Sequence, residues 1–179
     1  MTQYWHVGIR CAIGLVFLVS SVGKVAGRNA FTAFTDSARR LGSLPASLAG
    51  PVAAAVVAAE FAVWILLVLP GTTAPVAGLL LAVVLLLGFA VAALRAIRRG
   101  VGTPCRCFGG SATPLGPRHV VRNVLLAAAA VTAVTAAPAR LPAQPGALAM
   151  ALFAGLLAGG LIVLLDDLVG LFAKTAGLR

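Results

Sequence analysis

Two cysteines one residue apart, Cys105 and Cys107, stand in the stretch TPCRCFGG with Arg106 between them. A disulfide at this spacing closes a small, strained ring, and strained disulfides are reduced and exchanged more readily than bracing ones. Arg106, with Arg98, Arg99 and Arg118 nearby in sequence, supplies positive charge that favours the thiolate, the form that attacks. Gly100, Gly102, Pro104, Gly109 and Gly110 keep the segment compact and leave its backbone open to an approaching protein. Cys105 and Cys107 are therefore the candidate catalytic pair for thiol–disulfide exchange, with Arg106 biasing their ionisation.

Other chemistry for the pair is narrower. A structural zinc site takes four ligands, and Cys105, Cys107 and His119 would leave it one short. Two thiolates suffice for a soft ion such as Cu(I), which stays open as a minor alternative beside two inert loop thiols. No metal is expected. Cys11, set among Ala, Ile and Gly, reads as a small packing residue, and His6 and His119 read as interfacial anchors.

The elements that carry this loop are apolar. Hydrophobic residues make up 61% of the 179, charged residues 10%, and the mean hydropathy is +1.06. A soluble domain runs nearer ~45–50% apolar and ~25% charged, so the solvent is a lipid bilayer and the fold an all-α, polytopic transmembrane bundle. A first span is expected over Val7–Gly23 (VGIRCAIGLVFLVSSVG), retained rather than cleaved, because the only early positive charge lies inside the apolar run. Further spans are expected at about Leu48–Leu69, Pro75–Ile97, His119–Pro138 and Ala147–Leu165. Between the first two, Arg28–Pro45 is too polar to cross; Phe31, Phe34, Ala38 and Leu41 at helical spacing suit a short helix at the membrane surface, with a plain loop as the alternative. Gly155 and Gly159 form a GxxxG face that permits close helix packing.

Charges at membrane depth need partners. Arg10 and Glu60 are expected to meet, with Lys24 and Arg122 as competing partners for the glutamate; a structural pair is favoured over a proton relay through Glu60. The net charge of +10 lies mostly between the apolar runs, without interleaved aromatics, so it reads as topology rather than as nucleic-acid binding. The segments after the first and third spans share one side and hold Lys24, Arg28, Arg39, Arg40, Arg95, Arg98, Arg99, Arg106, Arg118 and Arg122, which the positive-inside rule places in the cytoplasm.

Arg10, Ser21-Val-Gly-Lys24, Leu44-Pro45, Glu60, Arg99-Gly100, Cys105-x-Cys107-Phe108-Gly109 and Arg122-Asn123 occur in an order and spacing that resembles the methylamine-utilisation MauE family, a branch of the DoxX-like membrane proteins. The resemblance covers roughly residues 7 to 137. It implies a four-helix core, a membrane domain over residues 1–140 and, in 141–179, an added C-terminal span and short tail. It also implies work beside a thioredoxin-like partner, forming or rearranging disulfides during maturation of the small subunit of methylamine dehydrogenase. Arg10, Lys24, Glu60, Arg122 and Asn123 become its intramembrane polar residues. One departure is Arg106, where the family usually has glycine. Disulfide maturation of a secreted subunit would put the cysteine loop outside, opposite to the side given by the charge count.

The expected function is that of a multi-pass cell-membrane thiol–disulfide redox protein, an oxidoreductase if it turns over. The alternatives are a non-catalytic maturation scaffold and a metal or solute handler, the latter with few polar residues in its spans and no internal repeat to support it. A quinone is a conceivable electron sink for such a bundle, but no residue identifies one, and the oligomeric state is not readable.

Overall fold

The computed structural model describes residues 2–100, 116–137 and 144–176, and in these the only regular elements are helices. They are α1 Thr2–Val25, α2 Arg28–Gly42, α3 Ala46–Val68, α4 Thr73–Arg98, α5 Pro117–Thr135 and α6 Pro145–Ala176. Backbone groups in hydrocarbon must bond within their own segment, and these apolar runs meet that demand as helices. α1, α3, α4 and the Pro145–Leu164 part of α6 are each long and apolar enough to cross a membrane. The chain is a multi-pass membrane protein.

α5, expected as a span, falls short on composition because Arg118, His119, Arg122 and Asn123 occupy its first two turns. The bundle buries three of these, His119, Arg122 and Asn123. α6 also differs from expectation: its helix runs past Asp166 and Asp167 to Ala176, since acidic residues end an apolar run without ending a helix.

α1 is the hub, touching every other helix. With α3, α4 and α5 it encloses a core around Ile13, Phe17, Val63, Leu79, Leu86 and Leu126. Where α4 meets α5, Ala90, Ala93 and Ala96 of one and Ala127, Ala130 and Ala133 of the other are buried, and small residues let two backbones approach in lipid. The turn between α3 and α4 depends on Gly71, whose φ of +94° a side chain would strain.

The segment read as a surface helix or a loop is the helix α2, and it packs against α1, α3 and α4 rather than only resting on the membrane. Phe34 and Ser37 are buried, and Phe34 forms a second small core with Ala53 and Val57 of α3.

Among the described helices α6 packs only on α1. A Cβ added at Gly155 would strike the Gly8 carbonyl oxygen, and one at Gly159 would lie 2.8 Å from the Ala12 carbonyl oxygen. The GxxxG face thus serves an intramolecular contact, with Gly155 opposite Cys11. Gly155→Leu is expected to cost about 1–3 kcal/mol, the usual penalty of overpacking. In a Cys105→Ser/Cys107→Ser background it should also make Cys11 react faster with a maleimide; an unchanged rate would show that α6 is held some other way.

Candidate functional site

Within the bundle the charged side chains are few and each has a definite place. Lys24, in the last turn of α1, is 3% exposed and Glu60 of α3 is 0% exposed. The Lys24 Nζ donates to Glu60 Oε1 at 2.6 Å and Oε2 at 2.7 Å, and to Ser20 Oγ at 2.6 Å. Ser20 in turn donates to Glu60 Oε1 at 3.3 Å. Two rings flank the ammonium: Phe34 of α2, with its centroid 4.9 Å away, and Phe89 of α4 at 5.9 Å. Glu60 sits about 21 Å along α3 from its start and about 12 Å from its end, well inside the membrane-spanning length.

The expected Arg10–Glu60 contact does not form. Arg10 instead donates from Nε to the Leu67 carbonyl and from Nη2 to the Leu69 carbonyl, the latter at 2.7 Å, and so caps the C-terminal end of α3. The reason is directional: helix side chains lean toward the helix N-terminus. On α1 this carries Arg10 outward toward the membrane boundary and carries Lys24 inward toward Glu60.

Three acceptors around Lys24 match the three N–H bonds of an ammonium. A buried charge engaged in this way is a lock between helices.

A second polar group begins α5. His119, Arg122 and Asn123 are buried and lie three and four residues apart, on one helical face. His119 and Arg122 are not without partners, whereas the Asn123 Oδ1 accepts no hydrogen bond among the described residues. These residues and Lys24 lie toward the end of the bundle where the α4–α5 connection runs. Cys105, Arg106 and Cys107 belong to that connection and lie outside the described residues. Arg99, at the end of α4, donates to the Leu41 carbonyl at 2.6 Å and to Ser43 Oγ, tying the foot of α4 to the end of α2.

At the opposite end, His6 and the Ala133 carbonyl are 2.7 Å apart through Nδ1, and Trp5 Nε1 donates to Thr132 Oγ1 at 3.1 Å. Both histidines, read from sequence as interfacial anchors, are buried, His6 against α5 and His119 on the inward face of α5 itself. The described residues contain no group of three or more His, Cys, Asp or Glu side chains placed to hold a metal ion.

The family model described as methylamine utilisation protein MauE matches residues 2–137. The chain belongs to the MauE family. No curated protein and no solved structure matches it. The MauE match takes in α1 to α5, the cysteine pair and every intramembrane polar residue named above, and stops before α6.

Ser20, Phe34 and Phe89 belong to the Lys24 environment; sequence reasoning singled out Phe34 only for the apolar face of its helix and did not single out Ser20 or Phe89. Ser20 carries a readable signal in its spacing of four residues from Lys24 on one helix face, and Phe89 carries none. Lys24→Met alone should destabilise the protein by about 3–5 kcal/mol, since it strands a buried carboxylate. Lys24→Met combined with Glu60→Leu should regain most of that loss in thermal unfolding of the purified protein. A double variant no more stable than the single would mean the pair is not the lock.

Proposed function

We propose that this MauE-family protein is a membrane-embedded thiol–disulfide exchange factor whose Cys105–Cys107 pair works on a thioredoxin-like partner. The observation that carries the reading is the Cys105-x-Cys107 pair itself, inside the residues matched by the family model and flanked by cations. In the exchange, a thiolate of one protein attacks the disulfide sulfur of the other, a mixed disulfide forms, and the second thiol of the attacking pair resolves it. Two electrons and two protons pass between the pairs: one dithiol becomes a disulfide while one disulfide becomes a dithiol. Arg106 raises the thiolate fraction of its neighbours.

The bundle's part is to hold the two feet of the loop. α4 is fixed by the Arg99 bonds to α2, and α5 is fixed by its buried His119, Arg122 and Asn123. Residues 1–140 form the working unit in this reading, and 141–179 add α6 as cover for α1.

Cys105→Ser and Cys107→Ser, made singly in a Cys11→Ser background, are expected to trap a reductant-sensitive adduct with a second protein, at least for the variant that keeps the attacking thiol. The double variant should form none and should leave the partner's disulfides unmade. Full partner maturation by the double variant would sink the exchange reading in favour of a scaffold. Labelling of intact cells with an impermeant maleimide, before and after reduction, assigns the side: reaction only after reduction means an oxidised pair outside.

A further inference from the structure

At the end of the bundle away from the cysteine loop, the close docking of α6 on α1 leaves a slot between α6 and α3. It has a volume of about 450 Å³ and is walled by Leu15, Leu18, Leu67, Leu152 and Leu156, with Gly14 at its floor. That is the size range of a small-ligand site. Val68, Leu152 and Leu156 are exposed along its rim, so the slot is reachable sideways from lipid.

Two polar groups lie in the lining. Arg10 uses Nε and Nη2 on the α3 carbonyls and leaves Nη1 without a hydrogen bond among the described residues. It has no carboxylate partner either, since the salt bridge found among the described residues is Lys24–Glu60. The chain's four acidic residues are Asp36, Glu60, Asp166 and Asp167; none falls in the first turns of α1, at the end of α3 or in the turn that follows it. The C-terminal dipole of α3 offsets only about half of the guanidinium charge. Trp64, also in the lining, has a buried indole Nε1 with no acceptor among the described residues.

An apolar slot open to the bilayer, with an uncompensated cation near the membrane boundary, suits an amphiphile with an anionic head. We infer that the slot between α1, α3 and α6 takes one acyl chain of an anionic phospholipid, with the phosphate on Arg10 and the chain passing the Trp64 ring. This site is at the opposite end of the bundle from the cysteine loop and does not rest on the thiol chemistry.

The chain has two tryptophans, Trp5 and Trp64, so Trp5→Phe leaves Trp64 as the only indole reporter. In phosphatidylcholine vesicles holding that variant, part of the lipid is replaced by chain-brominated phosphatidylglycerol or by chain-brominated phosphatidylcholine. Trp64 quenching is expected to report a preference of roughly fivefold for the anionic lipid, the scale of one basic contact. Arg10→Gln should remove the preference and Arg10→Lys should keep most of it. Gly14→Leu should also remove it by filling the slot; a Cβ at Gly14 meets Leu67 Cβ at an ordinary 3.9 Å, so the new side chain enters without a clash at its base. Equal quenching by the two lipids overturns the site, as does a preference that persists in either Arg10→Gln or Gly14→Leu.

Discussion

The contact between Lys24 and Glu60 is the constraint around which the bundle is arranged. An ammonium and a carboxylate at this depth are each expensive alone, and they are tolerated because each removes the other's need for water. Satisfying them requires four helices at one point: α1 brings Lys24 and Ser20, α3 brings Glu60, and α2 and α4 bring Phe34 and Phe89. The position of α2 follows from this. A strongly amphipathic helix could lie flat on the membrane, but Phe34 closes the lysine's chamber and draws α2 against α3.

Elsewhere the polar side chains work at helix ends. Carbonyls in the last turn of a helix have no partner within it, and in a membrane few waters reach them. Arg10 meets that need at the end of α3, His6 at the end of α5 and Arg99 at the end of α2. The two arginines are fixed by structure, which alters how the charge distribution reads. Lys24 and Arg122 are buried and Arg99 is bound to α2, so three of the positive charges counted toward the cytoplasmic side serve the fold. The positive-inside rule counts charges free to meet the membrane surface, so the asymmetry on this side is carried by the seven that remain, Arg28, Arg39, Arg40, Arg95, Arg98, Arg106 and Arg118.

Much of the fold was legible because hydropathy reports element length directly: α3 and α4 begin and end within about two residues of the segments expected for them, the ordinary uncertainty of helix ends. What the sequence concealed was direction. Arg10 and Glu60 look like partners because both are lone charges in apolar runs, yet the tilt of side chains toward the N-terminus sends Arg10 away from mid-depth and Lys24 into it. The inward packing of α2 was hidden for a related reason, since periodicity identifies an apolar face but not what covers it. The GxxxG pair gave too common a signal to assign a partner, and only the Gly8 and Ala12 carbonyls facing it identify α1. The spacing of the cysteine pair suggests exchange chemistry, and its placement lies outside the described residues.

A buried ion pair is seldom the most stable way to fill a core; well-packed apolar residues of similar volume commonly do as well or better. In water such pairs are often argued to select one arrangement over others, and in lipid the argument is stronger, because apolar helices gain little from choosing one neighbour over another. Leu and Ala faces alone would let α2 slide along α3 or leave it. A lysine that is satisfied only when Glu60, Ser20 and two phenylalanines surround it permits one register. That register sets where α2 ends, and the end of α2 is what Arg99 holds. The last turn of α4, which precedes the cysteine segment in sequence, is thus tied through two hydrogen bonds and one short helix to a salt bridge inside the bundle. In the proposed exchange, a loop presenting two thiols gains from such an anchor, since exchange depends on three sulfur atoms coming into line, and a base that wandered would spend collision after collision in the wrong orientation.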